Sequence, residues 1–381
     1  MARRLARWVL NRIRRRAQGR VAMATANELL RDLNIGHQVD LTQYANDQVR
    51  KVISLLNQSD SELFAQSTQA LERMPAESFT VQRLEEQLLA VREMNAALYR
   101  RMLSGFSVDL KDLAQHELGF QGQMLLTVPP VSVPLVALAP ETVYAAVLAR
   151  PFQGRLLSEW TQGLGADRMA RIRDTIRIGF VNSEPIAQMV GRLRGTRAKG
   201  YADGLLDISR RNAETVVRTA VSHTANVARD SLYQANSDLI KAIQWVSTLD
   251  ARTSGICRAR DGKQYTCDAH SPIGHSLSWL GGPGQAHWNC RSSSTPVLKS
   301  WKELGLDMNE MPEGTRASMD GQVAANLRYG DWFGKQSAAR QDQIVGVTRG
   351  RMFRAGEMLF DQFSNNKGRM LTLKELTHEP S

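Results

Sequence analysis

The sequence predicts a mainly α protein: helical N-terminal and middle regions, with a small loop-rich α+β domain at about residues 205–300. Three observations carry this. Apolar residues recur at three- and four-residue spacing through most of 38–127 and 141–235, the period of a helix with one buried face. Four of the 12 prolines fall within 129–140 and interrupt that pattern. After residue 240 the pattern becomes short alternating runs separated by Gly, Pro and Asp-Gly, the texture of strands and turns. A chain of 381 residues holds two or three units of ordinary domain size.

The elements follow in order. Residues 22–33 read as a short helix, and 38–127 as a long helical region. Ser59 and Thr80 are candidate caps, the first before SELFAQ and the second before VQRLEE. Leu84, Leu88, Leu89, Val91, Met94, Leu98 and Met102 form one stripe, a packing face. Residues 129–140 are a Pro-rich linker or extended strap, because proline removes amide donors and extends its predecessor. Helices follow at 140–152, 154–165, 166–181 and 183–195, the last with Ser183 as cap and Pro185 in its first turn. A long helix runs from about Leu205 to Asn236. Ile240 to Ser247 reads as a strand, and Asp261-Gly262 as a turn between short extended pieces. His287 to Leu298 reads as a further strand. Residues 301–381 read as a tail of polar helices and loops, with Trp332, Phe333, Met352, Phe353, Met358, Leu359, Phe360 and Phe363 as core or docking contacts.

The net charge is +11, from 49 Lys+Arg against 38 Asp+Glu, and it is unevenly placed. Residues 1–20 form a basic amphipathic arm with eight arginines and no acid: Arg3, Arg4, Arg7, Arg12, Arg14, Arg15, Arg16 and Arg20. Leu5, Trp8, Val9 and Ile13 share one helical stripe. Without the arm, 41 basic residues face 38 acidic ones, a net of +3. A second excess lies in 150–229, with 14 basic against seven acidic residues. Two such regions point to a polyanion or an acidic partner. The arm also suits an anionic membrane, and its Arg-rich, acid-poor composition resembles a transit peptide. No run of 18 apolar residues is present, which argues against a membrane-spanning helix. Three cysteines, all between 257 and 290, do not make a disulfide-stapled secreted scaffold.

The chemistry-bearing cluster is Cys257, Cys267, His287 and Cys290. Thiolate and imidazole are the donors of tetrahedral zinc, and a metal can tie loops that have little core of their own. Cys267 competes for the fourth position with His270, His275, Asp250 and water. The alternatives are buried unliganded cysteines, or a disulfide between Cys257 and Cys290 in an oxidising space. Asp250 ends the Trp245 strand. It suits a turn-holding carboxylate paired with Arg252 or Arg291 and kept ionised by Arg252, Arg258 and Arg260. No second carboxylate accompanies it at a useful spacing. No Ser/His/Asp pattern or phosphate loop appears, so no catalytic residue is assigned and the chain reads as a non-enzyme.

A long helix VVRTAVSHTANVARDSLYQAN leads into Trp245 and Asp250. Cys257, the Asp261-Gly262-Lys263 turn and a Pro/Gly loop follow, and then His287-Trp288-Asn289-Cys290-Arg291. This order resembles the Mu F-like minor head protein family of tailed bacteriophages, also called phage head morphogenesis proteins. The resemblance covers about 140–300 and is most specific over 210–298, with Trp245, Asp250, Arg252, Gly262, Asn289 and Arg291 as motif positions. It implies a minor virion component at the capsid interior or portal vertex, present in the host cytoplasm during assembly. Its implied partners are the portal protein and packaged double-stranded DNA. Some relatives travel with the genome during ejection, which adds other internal virion proteins and the host inner membrane. The family pattern often ends Cys-Arg-Cys. Here it ends Cys290-Arg291-Ser292, one ligand short unless Cys267 substitutes. The competing function classes are a metal-dependent nuclease or hydrolase around Asp250, Cys257, His287 and Cys290, and a membrane-active ejection protein using the arm.

Overall fold

The computed structural model describes residues 25–73, 80–129, 133–305, 315–318, 321–324, 328–365 and 369–377. The arm, with Arg3, Arg4, Arg7, Arg12, Arg14, Arg15, Arg16 and Arg20, lies outside the described residues. The fold is mainly α with a small antiparallel sheet, as the sequence predicts.

In chain order come α1 (Ala26–Glu72), α2 (Val81–Gln87), α3 (Leu89–Thr127), α4 (Pro140–Ala149), α5 (Leu157–Val181), α6 (Ile186–Arg194) and α7 (Leu205–Ala235). Then follow β1 (Ile240–Val246), α8 (Gly255–Arg260), β2 (Gln264–Tyr265), β3 (Pro272–Ile273) and β4 (Ser293–Leu298). A hairpin, β5 (Thr315–Ser318) and β6 (Gly321–Ala324), precedes α9 (Tyr329–Gly334), α10 (Ala338–Val345), α11 (Val347–Arg354) and α12 (Leu373–Thr377).

Several local readings change. The helix at 22–33 and the one expected to start at Ser59 are both parts of α1. Ser59 does not cap a helix, because its hydroxyl donates to the Leu56 carbonyl at 2.9 Å within the continuous helix. Thr80 does cap: its hydroxyl accepts the Arg83 N–H at 3.2 Å. The two helices expected over 154–181 fuse into α5. Ser183 adopts a left-handed φ of 53° and the helix cap is Pro185, so Ser183 is part of the turn before α6. The segment 255–260, expected to be extended, is a helical turn and a half.

Contacts divide the chain into two compact units that are discontinuous in sequence. One holds residues 43–112 and 148–221; the other holds 1–42, 113–147 and 222–381. In the first, Leu63, Leu84, Val91, Ile172, Ile176 and Leu193 form the core, with exposures near zero. Arg168, itself 1% exposed, reaches Asp60, which Arg210 also binds. The other basic residues of this stretch are also largely matched. Arg171 pairs with Asp167, Arg211 with Asp207 and Arg218 with Glu214, each one helical turn apart, and Arg192 pairs with Glu184. These pairs leave the net excess unchanged but commit several of the guanidinium groups to carboxylates within the fold.

In the second unit, Leu30, Phe120, Met124, Leu232, Tyr233 and Ile243 share a core with Leu298 and Trp301. Residues 133–139 run extended against it. Val136 exchanges two hydrogen bonds with the Asn236 side chain, at 2.8 and 3.2 Å, so this stretch is a pinned strap. The sheet order is β3-β2-β1-β4, antiparallel throughout, with Trp245 opposite Ser294 and Ile243 opposite Tyr265. The C-terminal elements build a satellite core from Tyr329, Trp332, Phe333, Phe360 and Phe363 against Leu249. Leu359, at 71% exposed, stays outside it.

Candidate metal centre

The central strand β1 delivers the chain to this site. Beyond Val246, the Ser247 N–H donates to Asp261 Oδ1 at 2.8 Å and its hydroxyl donates to the Cys257 carbonyl at 2.7 Å. Ser254 starts α8 by accepting the Cys257 N–H at 3.3 Å, which places Cys257 in the first turn. The chain then reverses at Asp261-Gly262. Gly262 has φ 74° and its N–H reaches the Trp245 carbonyl at 2.9 Å, a backbone conformation that a side chain at this position would strain. Trp245, fully buried, meets Trp279 edge-on at 5.6 Å and Tyr265 at 6.4 Å. These rings wall the pocket that holds Cys257 and Cys290.

His287 and Cys290 arrive on the turn before β4. Asn289 between them has φ 55°, the left-handed conformation that asparagine tolerates and that turns Cys290 inward. Cys257 Sγ lies 3.1 Å from His287 Nε2 and 3.5 Å from Cys290 Sγ. The three donor atoms all lie within 4.8 Å of one another. Bond lengths of about 2.3 Å to sulfur and about 2.0 Å to nitrogen put tetrahedral ligands about 3.8 Å (S···S) and about 3.6 Å (S···N) apart. The observed spacings need to open by only a few tenths of an ångström. His287 Nδ1 donates to the Trp288 carbonyl at 2.9 Å, which leaves the Nε2 lone pair facing the sulfurs. The Gly284 N–H donates to Cys290 Sγ at 3.2 Å, as amides do toward a thiolate.

Electrostatics separate the two thiols. Cys257 is held well above the ordinary thiol range by its hydrogen bond with Cys290, and by burial. Cys290 is held well below that range by the same bond, with His287 adding to it and burial opposing it. Burial lowers His287, but the bond and charge of Cys290 outweigh it and raise the imidazole overall. Cys257, Cys290 and His287 together present a soft S, S, N donor set.

Three of the four sequence-predicted ligands converge, and Cys267 does not. It packs with Leu239 and Ile240, its Sγ 3.8 Å from the Ile240 carbonyl, and burial lifts its thiol to about 12. It is a core residue because it lies just past β2, on the side of the sheet that faces the helices. The alternatives for the fourth position are placed elsewhere as well. His270 binds Asp230 at 2.7 Å and stacks flat on Trp279 at 4.6 Å. His275 faces the Gln264 carbonyl at 2.9 Å.

Asp250 is bound by Arg291 through two parallel bonds, 2.6 and 2.8 Å, and also accepts from the Thr253 hydroxyl and the Arg252 amide at 3.0 Å each. Burial would raise its carboxyl; the Arg291 pair and the other donors outweigh it and hold it low. The Arg252 side chain is not what binds it. Arg258 and Arg260, expected beside Asp250, turn away: Arg258 donates to the Ile344 carbonyl at 3.2 Å and Arg260 to the Ser278 carbonyl at 2.9 Å. Sequence reasoning missed Ser254 and Gly284, and of the two only Ser254 carries a sequence signal, a serine three residues before Cys257 in the N-cap position.

Neither the curated proteins nor the solved structures contain a match to the chain. A family model does match, over residues 170–295, and its description is Phage Mu protein F like protein. That interval opens within α5, closes within β4, and contains Trp245, Asp250, Cys257, Gly262, His287, Asn289, Cys290 and Arg291. From α5 to β4 the chain is similar to the Phage Mu protein F like family, and the Cys/His cluster lies wholly inside the matched residues.

Proposed function

We propose that the chain is a head-morphogenesis protein of a tailed bacteriophage, a minor virion component with a structural role. The family match over 170–295 carries this reading. The geometry supports a non-catalytic role for the matched region. Cys257 and Cys290 are each 1% exposed, so the centre faces the protein interior and suits cross-linking more than turnover. Asp250 is occupied by Arg291 and the following turn, and Asp261 accepts the Ser247 N–H.

The donor set fits a structural zinc ion, which Cys257, Cys290 and His287 would hold. When bound, the metal would tie α8 to the turn before β4. The protein's own residues supply the rest: Trp288 and Gly284 orient imidazole and sulfur, and the aromatic wall excludes water.

The proposed partners are the portal and packaged double-stranded DNA, and the proposed location is the capsid interior or portal vertex. Among the described residues no helix is long and apolar enough to cross a membrane. The eight arginines of the arm suit phosphate contacts. Quantitative mass spectrometry of purified virions, before and after triggered DNA release, tests the reading. The chain should be found at a few copies per particle. Its absence from virions would sink the proposal, and a drop after release would assign it to the ejected set.

A further inference from the structure

Away from the Cys/His cluster, α3 and α5 border a groove of about 620 Å³, wholly within the unit of residues 43–112 and 148–221. The two helices run antiparallel along it. At its middle, Asn95 Nδ2 donates to the Gly165 carbonyl at 3.0 Å, and a Cβ on Gly165 would meet the Tyr99 ring at 3.2 Å, so glycine allows the helices to meet there. At one end, Arg92 and Arg173 both reach Glu85. The groove follows about 22 Å of chain from Leu88 to Leu103 and about 18 Å from Thr161 to Arg173, the length of a helix of three to four turns.

Its surface is apolar between charged edges. Ala166 is exposed, and Ala96, Leu103, Met169 and Ala170 are half-buried. Among the described residues no carboxylate lines the groove, whereas Arg92, Arg100 and Arg173 do. Arg100 is exposed and has no carboxylate partner among the described residues. Arg92 pairs with Glu85, and Arg173 with Asp174 at 2.8 Å, in exposed ion pairs that contribute little and that an incoming carboxylate can replace. Arg92 and Arg100 stand about 12 Å apart along α3. An amphiphile with one anionic headgroup needs its cations gathered at one end. A helix with acids about two turns apart meets cations spread in this way.

We propose that the α3/α5 groove docks an acidic amphipathic helix of a partner protein. Its apolar face lies against Ala96, Ala166, Met169 and Ala170, and its carboxylates meet Arg92, Arg100 and Arg173. Of the lining residues only Ala170 and Arg173 fall within the family-matched interval, so this role is independent of the head-morphogenesis reading.

The test uses the full-length protein and a fluorescent, hydrocarbon-stapled peptide of about 15 residues, with leucines along one face and flanking glutamates. Anisotropy titrations compare the wild type with Ala166→Trp, which fills the groove from an exposed position, and with Arg100→Glu. Circular dichroism checks the fold. Ala166→Trp should weaken binding by about tenfold or more. Arg100→Glu should weaken it by about three- to tenfold, and should improve binding of the same peptide with lysines for glutamates. A peptide of equal composition with its leucines dispersed round the helix should bind poorly.

Equal binding of the glutamate peptide by wild type and Ala166→Trp would overturn the proposal and assign the peptide to the basic arm. Equal binding of the glutamate and lysine peptides by the wild type would overturn the acidic partner. Oleate serves as the single-headed competitor: oleate binding that Ala166→Trp abolishes, without peptide binding, would reassign the groove to an amphiphile. No binding of any probe would overturn the docking role.

Discussion

Arg229 grips Glu117 through two nitrogens, Nε at 3.0 Å and Nη2 at 2.8 Å, with both side chains at or below 2% exposed. Gln121 donates to the same carboxylate oxygen at 2.8 Å, and His37 Nε2 lies 2.6 Å from the other. The remaining Arg229 nitrogen reaches the Ser293 hydroxyl at 2.5 Å. One buried carboxylate thereby joins segments of α1, α3 and α7 to the first residue of β4, three positions beyond Cys290. Removing one partner leaves a buried charge without compensation. Glu117→Ala or Arg229→Ala should cost about 3–5 kcal/mol, whereas an apolar pair such as Glu117→Leu with Arg229→Met should recover much of it. Urea denaturation of the three variants checks this; equal losses in the singles and the double would refute it.

The same carboxylate sets an acid limit on stability. Burial would raise Glu117, but His37 and Arg229 beside it outweigh burial and hold it well below the usual carboxylate range. A depressed carboxyl contributes fully above the unfolded value of about 4.3 and loses that contribution as pH falls toward its folded value. Stability should therefore decline below about pH 5, and the Glu117→Gln variant should show a shallower decline. Parallel pH profiles for the two proteins would contradict this.

Metal uptake should release protons, because Cys257 is raised and must give up its proton to bind. Zn²⁺ affinity should fall as pH is lowered. Chelation should lower the melting temperature, and Cys257→Ser and Cys290→Ser should each reproduce that loss. Cys267→Ser should leave metal binding intact, since its sulfur faces Ile240 and not the cluster. Unchanged melting on chelation, together with metal-free protein after reduction, would remove the structural-metal role.

Asp250→Asn should cost about 1–3 kcal/mol by loosening the Arg291 fork and the turn that follows β1. It should not change turnover on DNA. Plasmid and single-stranded DNA incubated with Mg²⁺, Mn²⁺ or Zn²⁺ should remain intact. Metal-dependent cleavage abolished in Asp250→Asn or His287→Ala, with the fold retained, would promote the nuclease reading.

Deleting residues 1–20 removes eight arginines and leaves a net charge of +3. DNA binding should weaken and its salt dependence flatten, by about 0.9 in slope for each phosphate that the arm no longer neutralises. The stability of the remaining chain should hardly change. An unchanged slope would mean that the arm meets protein or lipid.

Helical periodicity was enough to place the long helices, because a stripe such as Leu84, Leu88, Val91, Leu98 and Met102 records the face that must be buried. The Asp261-Gly262 turn was also legible, since local chemistry decides it, whereas the sequence left Asp250 between Arg252 and Arg291 and the fold chose Arg291, 41 residues away. The sequence also marked out the Cys/His cluster by residue type, but it did not separate Cys257, His287 and Cys290 from Cys267. Tertiary structure alone decided the rest. Whether Ser59 starts a helix or lies inside one depends on what α1 packs against. Cys267 and Cys290 look alike in the sequence, yet one falls on the side of the sheet that faces the core and the other beside His287. Glu117 and Arg229, 112 residues apart, carry no mark of each other, because a buried ion pair exists only where separate helices bring both charges out of water together.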